Sequence, residues 1–143
     1  MDWKAVAEQV VAVLLPVAPV LTLAANEALK ALGKQFGEVS AKAALEKGKA
    51  LWARIKARFA KDKEVTQTMA LFADNPEAFE TALARVLEKR LAQDEDFGRE
   101  IGSMLAEAVA DKEVATFLVH VHGRARVNQI INMGEAKARE MRF

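Results

Sequence analysis

Apolar residues recur at helical spacing along most of the first 111 residues of this 143-residue chain. The clearest case is residues 40–60, where Leu45, Trp52, Ile55 and Phe59 follow one another at intervals of seven, three and four. These intervals place the four side chains on one face of an α-helix. We therefore predict an amphipathic helix over residues 40–60.

The same spacing, together with start and stop signals, predicts further helices on both sides of this one. Asn75-Pro76 and Asp94-Glu95-Asp96 are typical helix starts, because Asn and Asp accept hydrogen bonds from free amides and proline has no N–H to satisfy. The predicted helices are residues 3–15, about 19–32 with Gly33 as a C-cap, 63–72, 76 to about 91, and 95 to about 109. Together they predict a mainly α fold, a compact bundle of five to six helices.

The pattern changes after Asp111. Residues 114–123, VATFLVHVHG, are rich in β-branched and aromatic side chains and predict a strand. A second strand over residues 125–133 and a third over 138–143 are predicted after turns at Gly123-Arg124 and Gly134-Glu135. We therefore divide the chain into a helical bundle over residues 1–111 and a two- or three-stranded β tail over residues 112–143.

Residues 10–25, VVAVLLPVAPVLTLAA, form a continuous apolar run. As a helix this run is roughly 24 Å long, shorter than a hydrocarbon core of roughly 30 Å, and Pro16 and Pro19 interrupt it. A signal peptide begins with basic residues, whereas the acidic residues Asp2 and Glu8 lie in that position here. We therefore do not expect a signal peptide. Two interpretations remain: a buried, proline-kinked core helix, or a segment that is buried at rest and enters a bilayer when the protein assembles.

The net charge of +1 conceals separate blocks of charge. Residues 42–63 hold eight basic and two acidic residues, whereas residues 64–111 hold four basic and eleven acidic residues. Such blocks are compatible with pairing between helices of one chain or with head-to-tail docking of like molecules. Alternatively, the basic residues of the 40–60 helix would attract an anionic surface such as lipid headgroups, nucleic acid or an acidic protein.

No catalytic constellation is apparent in the sequence. The chain has no cysteine, which is compatible with a reducing compartment, and no phosphate-binding glycine loop or nucleophile elbow. His120 and His122 would share one face of a strand, a spacing that can hold a metal ion, but no third histidine or cysteine accompanies them. We therefore predict a non-enzymatic cytoplasmic protein with no cofactor, metal site or small-molecule substrate.

The tail sequence Ile131-Asn132-Met133-Gly134 resembles the hydrophobic, Asn/Gln, hydrophobic, Gly core of RHIM-type amyloid signalling motifs. The proline-containing apolar N-terminal segment and the later ALEKGKALWARIKARF are similar in plan to bacterial Bell domains, which resemble fungal HeLo-like cell-death domains. The resemblance implies that C-terminal motifs pair into a cross-β assembly and that the N-terminal segment then acts on a membrane. Charged residues follow the motif at Lys137, Arg139, Glu140 and Arg142, and like charges in register favour a bounded assembly over a long fibril.

The sequence supports three hypotheses for function. The leading one is a self-assembling effector of bacterial cell-death or defence signalling, which pairs through C-terminal strands and associates with anionic membrane on activation. The second is a structural homo-oligomer in which the apolar helix is core and the β tail is the subunit interface. The third is a binder of nucleic acid or an acidic partner through the basic helix, although nucleic acid is not the expected partner.

These hypotheses depend on two sets of residues. The predicted oligomerisation residues are Val127, Asn128, Gln129, Ile130, Ile131, Asn132, Met133 and Gly134. The predicted membrane or partner surface consists of Val10, Val13, Leu14, Leu15, Val17, Val20, Leu21, Lys49, Arg54, Lys56 and Arg58.

Overall fold

The computed structural model describes residues 2–21, Glu27, Lys30 and residues 38–122. Six α-helices and one 3-10 helix have their bounds inside this part of the chain. They are α1 (Trp3–Leu14), the 3-10 helix (Leu15–Val20), α2 (Glu38–Arg58), α3 (Lys63–Asp74), α4 (Pro76–Gln93), α5 (Glu95–Ala110) and α6 (Lys112–His122). The predicted mainly α fold is therefore confirmed for the described residues.

Aspartate side chains begin four of these helices. The carboxylates of Asp2, Asp62, Asp94 and Asp111 accept hydrogen bonds from amides of the helical turn that follows, at 3.1, 3.2, 3.4 and 2.8 Å. Such bonds satisfy donors that have no partner within the helix. The cap predicted for Asn75 differs, because its side chain makes no capping hydrogen bond, and the start of α4 is marked instead by Pro76 in the first turn.

The strand predicted over residues 114–123 is wrong for residues 114–122, which belong to α6. Val114, Phe117 and Leu118 have the three- and four-residue spacing of one helix face, and all three are buried. Asp111 also caps the first turn, accepting from the amides of Glu113 and Val114. The cap and the helical spacing together outweigh the strand propensity of the β-branched residues.

Residues 112–122 thus belong to the bundle rather than to the predicted β tail. Helix α6 packs mainly along α2, and the Ser40 hydroxyl donates to the Glu113 carboxylate at 3.0 Å. The strands predicted over residues 125–133 and 138–143 lie outside the described residues. So do most of the helix predicted over residues 19–32 and its Gly33 cap, although Glu27 and Lys30 are helical and exposed.

One hydrophobic core runs through the described helices, and every one of them contributes to it. Helix α1 packs chiefly against α4, α3 also against α4, and α2 against α6. Two aromatic contacts join α2 to its other neighbours. Trp52 stacks on Phe72 of α3 with ring centroids 6.2 Å apart, and Phe59, directly after the last residue of α2, meets Phe97 of α5 edge to face at 5.4 Å. The apolar face predicted for α2 is therefore the face that enters the core.

Candidate functional site

The N-terminal segment, defined as residues 3–21, lies inside the bundle. All residues from Gln9 to Leu14 are buried. Among the residues predicted to form a membrane surface, Leu15 is half-buried and the others in this segment are buried: Val10, Val13, Leu14, Val17, Val20 and Leu21. In this structure they form core. The apolar run continues into residues 22–25, which lie outside the described part of the chain.

The segment changes helix type at its prolines. Helix α1 has 12 residues and is therefore about 18 Å long, and the 3-10 helix with Pro16 in its first turn follows it directly. No helix among the described residues is long and apolar enough to cross a membrane.

Two glycines inside helices make room for Trp3 and Val17 of the N-terminal segment. A Cβ atom added to Gly98 of α5 would collide with the Trp3 indole, lying closest to Cζ3 and 2.6 Å from Cη2. A Cβ atom added to Gly48 of α2 would lie 2.7 Å from Cγ2 of Val17. Glycine within a helix costs about 1 kcal/mol relative to alanine. Both contacts are therefore made at the expense of helix propensity in α2 and α5.

These contacts define where the segment lies. Trp3 covers Gly98 near the start of α5, and Ala12 packs on Val109 near its end, so α1 and α5 run in the same direction. Helix α1 also packs against α4. The N-terminal segment therefore contacts α4 and α5 along its first part and α2 at Val17.

The basic side chains of α2 divide into two flanks. Arg54 Nε lies 2.8 Å from Glu100 Oε2, and Arg58 Nη2 lies 2.6 Å from Asp94 Oδ2. Both guanidinium groups also lie over the Phe97 ring, 5.3 and 5.5 Å from its centroid. Two of the four basic residues predicted for a partner surface are thus paired with α5 of the same chain.

The second flank of α2 carries Lys42, Lys49 and Lys56. Their seven-residue spacing places them in one row about 21 Å long on the helix. Lys42 and Lys56 are exposed and Lys49 is half-buried. Neither Lys42 nor Lys56 forms an ion pair with another residue of the described ranges. Among the described residues, Arg54 and Arg58 are therefore paired with carboxylates, whereas Lys42 and Lys56 are not.

Asp62 joins the start of α3 to α4. Its carboxylate caps α3 through the Val65 amide and accepts from Arg90 Nε at 2.6 Å. The hydrogen bond from Arg90 is the main cause that lowers the pKa of Asp62 below its usual range, and the same bond raises the pKa of Arg90. Glu64 lies 3.5 Å from a second guanidinium nitrogen of Arg90. The cluster therefore connects the start of α3 to the last turns of α4.

Two open grooves flank α4, with volumes of about 520 and 380 Å³. The charged residues Arg85 and Glu88 line both grooves. Glu64 and Lys89 also line the larger groove, and Lys4 and Glu8 of α1 also line the smaller one. Each groove therefore mixes acidic and basic side chains, which favours no single charged ligand.

The described residues contain no group of three or more His, Asp or Glu residues that could hold a metal ion. His120 and His122 belong to α6 and not to the predicted strand.

The predicted oligomerisation residues, 127–134, lie outside the described residues. No protein-family model, curated protein or solved structure matches the chain.

The sequence reasoning missed the contacts of Trp3 with Gly98 and of Val17 with Gly48. A signal was available for Gly48, which stands among strong helix formers in EKGKA, whereas Gly98 in FGREIG is followed by a second glycine, Gly102. Glycine inside a helical pattern costs helix propensity, which makes such a position a candidate for close packing. Which residue packs there depends on contacts distant in sequence, which no local pattern reveals.

Proposed function

We propose that this chain is a non-enzymatic, self-assembling effector whose N-terminal segment is held in the core at rest and acts on lipid after assembly. Assembly is assigned to residues 127–134, as the resemblance to Bell domains with a RHIM-like motif implies. The single observation that supports the proposal is the burial of the apolar N-terminal segment, which packs over glycines at Trp3 and Val17.

The cost of exposing this segment explains why assembly must come first. Eight of its Val and Leu side chains are buried, and burial of each stabilises the fold by about 1.5–3 kcal/mol. Their sum, roughly 12–24 kcal/mol, equals or exceeds the whole stability of a typical domain, about 5–15 kcal/mol. Release into water is therefore negligible, and the segment leaves the core only where contacts between subunits and lipid replace those it loses.

The lysine flank of α2 supplies the second contribution to membrane binding in this proposal. Each lysine near an anionic bilayer contributes about 1 kcal/mol, and this attraction weakens with salt. Lys42 and Lys56 are exposed on this flank, so they are available to headgroups while the bundle is still folded. Electrostatic adsorption would then bring the protein to the surface that the N-terminal segment enters.

The proposal is tested by release of a dye from liposomes that contain anionic lipid, with oligomeric size measured in parallel by light scattering. We expect the wild-type protein to form oligomers and release dye, and Ile131→Asp to abolish both, because a charge in the paired strands prevents their stacking. Leu71→Asp, at an exposed position of α3, is the matched control and should leave both unchanged. Unchanged oligomers and dye release in Ile131→Asp would reject the role of the tail.

A structural homo-oligomer is the alternative that the same burial supports, because a core segment need never leave. It predicts oligomers that Ile131→Asp dissociates, with no dye release by the wild-type protein at any lipid composition. The two functions are thus separated by the wild-type liposome measurement alone.

A further inference from the structure

We propose that Trp3 is a latch that closes over Gly98, and that the N-terminal segment opens from the Trp3 end while α2 and α5 stay folded. The proposal deepens the proposed function, since it names the contact at which the buried segment begins to open.

The first observation is steric. Three atoms of the Trp3 ring lie so close to Gly98 that an added Cβ would be 3.1 Å or less from each. The indole therefore rests directly on the backbone of α5, and only glycine permits that position. Because the contact is made to the backbone of α5, the ring can lift away without disturbing the hydrogen bonds of that helix.

The second observation is that the two ends of the N-terminal segment differ in exposure. Trp3 is half-buried, and Lys4 and Glu8 are exposed beside the groove of about 380 Å³ between α1 and α4. At the other end, Val20 and Leu21 are buried, at 6% and 8% exposed. Local opening begins where the fewest apolar contacts are lost, so the Trp3 end opens first.

The third observation concerns the polar contacts near the latch. Asp2, which is exposed, caps α1 by accepting from the Ala5 amide at 3.1 Å, a contact within the segment itself. The start of α5 is fixed independently, since Asp94 caps it and pairs with Arg58 of α2. Opening at Trp3 therefore leaves the cap and the ion pair of α5 in place.

Hydrogen exchange on the full-length resting protein, without lipid, tests the latch by a double-mutant comparison of Trp3→Ala, Gly98→Ala and both together. We expect Gly98→Ala to speed exchange of the α1 amides by about tenfold or more, since the displaced indole no longer closes the segment. Exchange within residues 101–109 of α5 should be as fast as in the wild-type protein or slower, because alanine is a better helix former than glycine. In the Trp3→Ala background, Gly98→Ala should add no further increase in α1.

Three results would overturn the latch: no change in α1 exchange in Gly98→Ala, equal increases in α1 and α5, or the same α1 increase with and without Trp3. If Gly98→Ala does not fold, hydrogen exchange of Trp3→Ala alone tests the latch. Faster exchange confined to α1 supports the latch, and unchanged or uniformly faster exchange rejects it. Because neither lipid nor assembly enters this measurement, its failure is distinct from failure of the liposome experiment.

Discussion

The N-terminal segment and the capped frame, which we define as helices α2–α5 joined through Asp62 and Asp94, share one hydrophobic core and differ in their polar contacts. In the frame, each aspartate begins a helix and also pairs with an arginine of another helix, Arg90 or Arg58. The N-terminal segment is held mainly by close apolar packing, with Trp3 over Gly98 and Val17 over Gly48.

The polar contacts orient the helices of the capped frame, whereas apolar packing retains the N-terminal segment in the core. Charge-assisted hydrogen bonds are directional, so the frame has one preferred geometry, but partly exposed pairs contribute little free energy. Apolar burial is non-directional and contributes much more, yet an apolar environment elsewhere can replace it. The frame is therefore suited to persist, and the N-terminal segment to be the part that changes environment.

The largest effect is expected for Leu14→Ala in the N-terminal segment. Leu14 is 1% exposed, and removing a buried leucine side chain costs about 2–5 kcal/mol in free energy of unfolding. Urea unfolding followed by circular dichroism measures this loss. The matched control is Leu71→Ala on α3, where the leucine is 47% exposed and the expected change is within about 0.5 kcal/mol. Equal losses in the two variants would mean that Leu14 does not lie in the core.

A smaller loss is expected for Gly48→Ala. The new methyl group would lie 2.7 Å from Val17, and such overpacking costs about 1–3 kcal/mol, offset in part by about 1 kcal/mol of helix propensity. Ala53→Gly, at an exposed position of the same helix, measures the propensity contribution alone. If Gly48→Ala were more stable than the wild-type protein by the amount that Ala53→Gly loses, the close contact with Val17 would be absent.

In the frame, Asp62→Asn should alter how stability depends on pH. Asparagine is an equally good helix cap, so the substitution removes chiefly the ion pair with Arg90. Because the pKa of Asp62 is lowered in the folded state, its contribution is fully present above the unfolded pKa of about 4 and is lost as pH falls through the folded pKa. Urea midpoints of the two proteins should differ at pH 7 and converge towards pH 2. A difference that persists at pH 2 would exclude the ionised pair as its cause.

The smallest effect is expected for Arg54→Gln. The pair with Glu100 is exposed, with side-chain exposures of 42% and 43%, and such pairs contribute about 0.5 kcal/mol. That difference should shrink as salt is raised from 0.05 to about 1 M, because salt screens exposed charges. A loss above about 2 kcal/mol, independent of salt, would show that packing of the guanidinium on Phe97 matters more than its charge.

The frame was largely predictable from the sequence, because its signals are local. Asp94 before Glu95-Asp96 and Pro76 after Asn75 mark the starts of α5 and α4 within one residue. Pairing between helices was also predicted as one explanation of the basic block (residues 42–63) and the acidic block (residues 64–111). The ion pairs Arg54–Glu100 and Arg58–Asp94 connect these two blocks.

The parts that were mispredicted or missed depend on competition between signals or on distant contacts. In α6, composition indicated a strand, while the spacing of Val114, Phe117 and Leu118 and the cap at Asp111 indicated a helix; the helix signals decide the structure. The glycine contacts join residues 3 with 98 and 17 with 48. Local periodicity gives the buried face of each helix but not the partner that covers it.

The most direct test of the central claim is to lock the N-terminal segment to α5. The chain contains no cysteine, so Ala12→Cys with Val109→Cys, at two buried positions in contact, adds a single possible disulfide whose formation is verified by mass spectrometry. Dye release from anionic liposomes is then measured for the oxidised and reduced forms of the same protein. If the N-terminal segment must leave the core, the oxidised form assembles but releases no dye, and reduction restores release. Equal dye release by both forms would contradict the claim.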